Sequence, residues 1–170
     1  MKQQAIFLDR DGVINEERGE YTYLIKDFRF NEGVFTALRM FQETGYLLIV
    51  ISNQGGIARG MYTREDIDRL HRFMENELIA ENIRLTEIYY CPHHSDVEKC
   101  LCRKPGTLML EKAMARFGID PARSFFIGDH ERDAQAAIKA GITAVTIRPN
   151  QPLTEIVDQI IPGYQKRRTD

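Results

Sequence analysis

Asp9 and Asp11 stand two residues apart in FLDRDGVIN (residues 7–15), with Gly12 directly after them. In extended backbone an i, i+2 pair projects to one side, so both carboxylates can address one point in space, and the glycine lets the chain turn away. On its own a D-x-D-G stretch is as readily an ordinary polar turn. Other chemistry-bearing residues recur at or beyond the ends of apolar runs: Ser52 in VISNQGGIARG (residues 50–60), Lys104 in CRKPG (residues 102–106), and Asp129 and Asp133 in FIGDHERD (residues 126–133). Several acids and a lysine brought to one place would repel or pair unproductively unless something charged sat among them. A hard divalent cation that keeps several waters, Mg2+, suits Asp9, Asp129 and a carbonyl better than a soft metal does. With the cation and Lys104 neutralising its oxygens, a phosphoryl group can approach a carboxylate nucleophile. The acid two residues on can protonate the leaving alcohol and then activate water. The chemistry expected is phosphoryl transfer through an aspartyl phosphate.

What must position these groups is a sheet whose strands end on one side. Ala5 to Leu8 is a short apolar run, and Tyr46 to Ile51 is apolar at nearly every position, as a strand covered on both faces is. Glu87 to Tyr90, Ser124 to Ile127 and Thr143 to Ile147 read as three more strands. The helical period places Val34, Leu38 and Phe41 on one face of a helix over 34–44 that stops at Gly45. Thr63 caps the next helix, with Asp66 at its third position, and Ile67, Leu70, Met74 and Leu78 mark its buried face as far as about residue 82. A helix over 108–117 buries Leu110, Ala113 and Phe117 and closes at Gly118; a last one carries Ala134, Ala137 and Ile138 and closes at Gly141. Strands alternating with such helices predict right-handed crossovers and a doubly wound parallel α/β sheet. Ligands of such sheets bind beyond the carboxyl ends of the strands, where all the polar groups named above lie. Residues 16 to 31, charged and aromatic without a period, predict a long loop over that end.

The 170 residues, 43% of them hydrophobic, suffice for one well-filled core and not for two, so a single domain over 1–170 is expected. A formal net charge of -2 offers no basic field for a nucleic-acid backbone, and the basic run Lys166 to Arg168 reads as a solvated tail. No stretch approaches the ~18 apolar residues of a membrane span, and the short run after Gln4 is no signal-peptide core. A cytoplasmic monomer acting on a small metabolite, with neither nucleic acid nor membrane as partner, is expected.

All three cysteines fall between Cys91 and Cys102, an odd number that speaks against a disulfide framework and for a reducing compartment. With His93 they follow C-x-H-x6-C-x-C. Each half turns two ligands the same way, and four Cys/His ligands are the usual tetrahedral zinc environment. His94 would point oppositely. Cys91, His93, Cys100 and Cys102 leave a zinc no open position, so the ion is expected to be structural, holding the loop that delivers Arg103 and Lys104.

In their order, FLDRDGVIN, VISNQGGIARG, CRKPG and FIGDHERD resemble the four motifs of the haloacid dehalogenase (HAD) superfamily of phosphatases, a likeness running from about residue 5 to 148. The resemblance implies a Mg2+-dependent phosphoric monoester hydrolase of Rossmann-type fold. It implies Asp9 as nucleophile, Asp11 as general acid/base, and Ser52 and Lys104 as phosphate holders. It further implies Asp9, Asp11 and Asp129 as the magnesium set, with Asp133 supporting the metal or Lys104 from behind. The zinc loop narrows the likeness to the small, capless branch whose members act on D-glycero-D-manno-heptose 1,7-bisphosphate or histidinol phosphate. NQGGIARG and CPHH resemble the heptose side of that branch, which implies substrate contacts from Asp9, Arg10 and Asp11 and from Ser52, Asn53, Gln54 and Gly55. Further contacts are implied for Arg103, Lys104 and His130 and, in a loop carrying a one-residue insertion, for Glu17, Arg18, Gly19 and Tyr21. Two departures bear on substrate choice: the zinc loop is short, as on the histidinol-phosphate side, and His130 stands where the heptose side has a lysine. Arg103 could grip a second phosphate bidentately, which a monophosphate does not need. The cationic amine of histidinol phosphate would instead call on Glu17 or Glu20.

A receiver-type switch also combines acids, a hydroxyl and a lysine around phosphoaspartate, but its acceptor follows the third strand, whereas Asp9 follows the first and has Asp11 beside it. A zinc-ribbon interaction module would not require the acids. A nucleotide-binding P-loop is absent, since GGIARG (residues 55–60) is followed by Met61 rather than by Lys and Ser/Thr.

Overall fold

Ala5, Ile6, Phe7 and Leu8 are all 0% exposed, because they form the central strand of a sheet covered on both faces. The computed structural model, which describes residues 2–164, contains five parallel strands in the order β3-β2-β1-β4-β5. These are β1 (Ala5–Leu8), β2 (Leu47–Asn53), β3 (Glu87–Cys91), β4 (Phe125–Gly128) and β5 (Thr143–Thr146). Side chains alternate across the pleat, so Ile6, Leu8, Leu48 and Val50 enter one core while Ala5, Phe7, Ile49 and Ile51 enter the other. Each such side chain, fully buried, stabilises the fold by about 1.5–3 kcal/mol relative to exposure.

Helices α1 (Val34–Glu43) and α2 (Arg64–Ala80) cover the first face, and α3 (Leu108–Phe117) and α4 (Glu131–Lys139) the second. The chain therefore winds outward from β1 to β3, returns across the sheet, and winds outward again from β4 to β5. Strand order reverses between β1 and β4, which is where doubly wound sheets open a crevice for ligand. Above that edge the described chain is loop, with one 3-10 turn over Ile25–Asp27.

The Thr63 cap forms as its sequence predicts: Thr63 Oγ1 accepts the Asp66 N–H at 3.2 Å and Asp66 Oδ2 accepts the Thr63 N–H at 2.9 Å. On α4 the inward face differs from the one expected. Asp133, Ala136 and Ala137 are buried while Ile138 is 69% exposed, because Lys104 draws Asp133 inward at 2.7 Å and so sets the rotation of the helix. Phe117 is only half-buried. A 3-10 turn over Leu153–Ile156 and α5 (Val157–Ile160), for which no element was expected, pack against the α1 side of the core. The basic run Lys166 to Arg168 lies outside the described residues. No helix among the described residues is long and apolar enough to cross a membrane.

Candidate active site

Asp9 is the first residue beyond β1, and its N–H continues the pairing with β4 by donating to Ile127 O at 3.0 Å. Asp129 is the first residue beyond β4, so the switch point sets these two acids side by side. Lys104 lies beneath them, 2% exposed, with Nζ 2.9 Å from Asp9 Oδ1 and 2.7 Å from Asp133 Oδ1 and donating to Ile51 O at 2.8 Å. The Asp133 contact is an ion pair only: that oxygen and Asp129 Oδ2 are buried without a hydrogen-bond donor. Side-chain oxygens of Asp9, Asp129 and Asp133 and a His130 nitrogen all lie within 4.8 Å of one another, and His130 Nδ1 is 2.8 Å from Asp129 Oδ1. Burial pushes the Asp9 carboxyl up to about 7; Lys104 pulls it down and Asp133 pushes it further up. Three carboxylates held close together, two of them with an oxygen facing no hydrogen-bond donor, fit a hard cation. Gly12 is required at the turn, since at φ +82° a Cβ there would lie 2.2 Å from Asp129 Oδ2.

Asp11 sits in different company. Its carboxylate accepts from Arg10 Nη2 at 2.8 and 3.0 Å, from Asn15 Nδ2 at 2.9 Å and from Gln54 Nε2 at 3.1 Å. Burial alone would raise its pKa, but Arg10 and these donors hold it below the usual carboxylate range. The Asp11 carboxylate is thus apart from the Asp9–Asp129–Asp133 group. Arg10, 0% exposed, also donates to Thr22 O at 2.6 Å and meets His71 Nε2 at 3.2 Å. Burial pushes His71 down to about 3, so its imidazole is neutral and Nε2 accepts. The Arg10 guanidinium is therefore spent on Asp11, Thr22 and His71 and is not free to contact a substrate.

A cleft of about 510 Å³ opens above Asp9 and Asp11. Its walls include Glu17, Gly19, Glu20, Tyr21, Asn53, Gly55, Arg103 and His130, together with Arg59, His94 and Arg132, which the sequence did not single out. Ser52 and Gln54 are buried, 2.8 Å apart through Gln54 Nε2 and Ser52 Oγ, and do not line it. Arg18 turns away toward Asp27 at 3.7 Å and Glu20 at 4.0 Å. Gly55 allows close approach: a Cβ there would lie 2.9 Å from Arg103 Nη1 and 2.8 Å from the His94 ring. Arg59 bridges two walls, donating to Asp96 Oδ2 at 2.7 Å and reaching the Tyr21 hydroxyl at 3.4 Å.

At the end of β3, Cys91 Sγ is 3.1 Å from Cys102 Sγ, 3.6 Å from Cys100 Sγ and 3.5 Å from His93 Nδ1, which is 3.2 Å from Cys102 Sγ. Metal–ligand bonds of about 2.0–2.3 Å in a tetrahedral Cys/His site imply edges of about 3.3–3.8 Å. The four atoms lie close to those spacings, the cysteines are free thiols, and the group could hold a metal ion. His94 faces the other way, its Nδ1 accepting from Asp96 N at 3.2 Å. Arg103 is tied to the cluster twice, donating its N–H to Cys100 Sγ at 3.3 Å and Nη1 to His93 O at 3.0 Å.

Comparison with known proteins adds to this geometry. A family model described as HAD-hyrolase-like matches residues 101–156. The D-glycero-alpha-D-manno-heptose-1,7-bisphosphate 7-phosphatase of Campylobacter jejuni is 46% identical over 142 residues, 84% of this chain and 80% of that protein. The D-glycero-beta-D-manno-heptose-1,7-bisphosphate 7-phosphatase of Escherichia coli K12 is 43% identical over 157 residues, 88% of this chain and 82% of that protein. Among solved structures, the D,D-heptose 1.7-bisphosphate phosphatase from B. bronchiseptica, complexed with magnesium and phosphate, superposes with a TM-score of 0.82 at 27% identity. The superposition covers 92% of this chain and 87% of that one.

Proposed function

We propose, on the premise that this chain belongs to the HAD-like phosphatases and is a phosphoric monoester hydrolase, that it removes the 7-phosphate of D-glycero-D-manno-heptose 1,7-bisphosphate. The observation that carries the choice of a bisphosphate is the cleft itself, where Arg59 and Arg103 share the walls above Asp9, offering a second anion site beyond the reacting phosphate. Asp9 is the nucleophile: its carboxylate oxygen bonds to phosphorus as the bond to the sugar oxygen breaks. Asp11, oriented by Arg10, Asn15 and Gln54 and ionised in the free site, takes up a proton as the anionic substrate enters, passes it to that leaving oxygen and then takes one from the water that cleaves the aspartyl phosphate. Lys104, its Nζ 2.9 Å from Asp9 Oδ1, offsets the charge on the phosphoryl oxygens, while Ser52, buried against Gln54, acts on them through Gln54. Asp9 and Asp129, with a main-chain carbonyl, would hold Mg2+, which supplies charge neutralisation at the phosphoryl group when bound. Glu17 and Glu20 in the same cleft favour the second reading, histidinol phosphate, whose amine they would meet. Phosphate release from both heptose bisphosphate anomers, histidinol phosphate and simple sugar monophosphates decides between them. The heptose bisphosphate is expected to lead in kcat/KM by at least about tenfold, with one phosphate released per molecule; a lead by histidinol phosphate overturns the assignment.

We assign a structural zinc to Cys91, His93, Cys100 and Cys102, on the spacing of their ligand atoms. Because Arg103 hangs from this cluster, loss of the cluster misplaces Arg103, while Asp9 and Asp129 keep their places at the ends of other strands. Cys100→Ser is expected to lower kcat/KM by about 10²-fold while leaving Mg2+ binding intact. Metal analysis of the purified protein is expected to give one zinc per chain. A zinc-free preparation with full activity, or a fully active Cys100→Ser variant, contradicts the assignment.

A further inference from the structure

The rim of the cleft formed by Glu17, Gly19, Glu20 and Tyr21 hangs between two anchors. Beyond Tyr21, Arg10 grips Thr22 O at 2.6 Å and the Tyr23 ring stacks on Tyr62 with centroids 4.9 Å apart. At the other end the anchor is Asn150, which follows β5 and belongs to none of the motif stretches. Its side chain brackets Glu17, with Oδ1 accepting the Glu17 N–H at 2.7 Å and Nδ2 donating to Glu17 O at 3.1 Å. Its own main-chain N–H donates to Gly12 O at 2.9 Å, so the same residue holds the turn that follows Asp11. Asn150 does this in a left-handed conformation, φ +64°, which asparagine adopts more readily than most side chains. The geometry is passed along the rim, because Glu17 Oε1 accepts the Gly19 N–H at 2.6 Å.

We infer that Asn150 is a positioning residue for substrate selection: by joining Glu17 to Gly12 it fixes how far the rim stands from Asp9 and Asp11. The inference rests on the reading above, in which this cleft takes a phosphorylated sugar. Asn150 acts through Glu17 and the rim. It does not touch the reacting phosphate. Both side-chain bonds are exposed, so water replaces them cheaply and the fold survives their loss, whereas the placement of the rim does not.

Asn150→Gly tests this, since glycine keeps the left-handed backbone and the N–H to Gly12 and removes only the two bonds to Glu17. For heptose bisphosphate, KM is expected to rise about tenfold with kcat changed by less than about threefold. Acetyl phosphate, too short to reach the rim, is expected to be turned over as by the parent. Amide hydrogen exchange at Glu17 and Gly19 is expected to quicken. An unchanged KM, or an equal loss toward both substrates, overturns the inference, the second because it would place the effect at the Gly12 turn. If the parent cleaves no heptose bisphosphate, the proposed function fails separately, and exchange decides alone: unchanged exchange at Glu17 and Gly19 in Asn150→Gly overturns the role of Asn150.

Discussion

Asp9→Asn is expected to cut turnover by at least about 10⁴-fold while leaving the fold at least as stable as the parent's. An amide oxygen carries no negative charge to form the aspartyl phosphate, and no other carboxylate stands where Asp9 does. The stability half follows from the titration of the buried acid. In the folded metal-free protein the Asp9 carboxyl is pushed from 3.8 up to about 7, mainly by burial. The folded state therefore holds a proton that the unfolded chain releases, and the stability of the parent falls as pH rises between those two values. Above about 7 the full cost of the buried charge is present. A neutral amide escapes it, and Lys104 keeps its ion pair with Asp133 at 2.7 Å. Thermal melts at pH 5 and pH 8 without Mg2+, alongside phosphate release, check both halves. Retained multiple turnover would refute the mechanism, and a collapsed melt would show that the loss of activity was a loss of fold.

Lys104→Met is expected to do more damage to the fold than any other change at the site. The lysine side chain is 0% exposed and is the cation beside both Asp9 and Asp133. Methionine fills similar volume but leaves buried carboxylates uncompensated, and removing one partner from such a pair costs about 3–5 kcal/mol. For a chain of this size that lowers the melting midpoint by roughly 10 °C. Turnover is expected to fall by at least about 10²-fold, since the charge on the transferring oxygens loses its donor. Mg2+ replaces part of the missing charge, so its stabilising effect is expected to be larger in the variant than in the parent. A melting midpoint equal to the parent's, or an unaltered Mg2+ effect, would show that Lys104 does not balance these acids.

β1, β2 and β4 were readable because each is an apolar run ending in a polar loop, and the acids, Lys104 and the cysteines were readable because they sit at or beyond strand ends. Strand order was not, since it depends on which edges meet. Nor was the direction of side chains within a motif: Arg10 lies between two acids of the site yet turns into the protein, and Arg18 swings toward Asp27. The rotation of α4 escaped pattern reading because a buried ion pair, rather than the apolar Ile138, sets it. The segment after β5 did carry a signal, Leu153, Ile156, Val157 and Ile160 at helical spacing, but it is divided between a 3-10 turn and one turn of α-helix. Arg59 and His94 reach the cleft from loops, where no periodicity marks them, Arg132 reaches it from the first turn of α4, and Asn150 holds its rim from the loop after β5.

The central place of β1 also governs how the protein is made. Ile6 lies between Leu48 on one side and Phe125 on the other. During synthesis β1 can pair with β2 early, but its other edge stays open until the ribosome has delivered β4, by which time most of the chain has emerged. Until then a strand apolar on both faces presents unpaired N–H and C=O groups, the kind of edge that recruits other chains. Such distant pairing is slow to form. That edge of β1 therefore stays open for most of translation, and a message truncated before β4 yields a product that cannot close its own sheet.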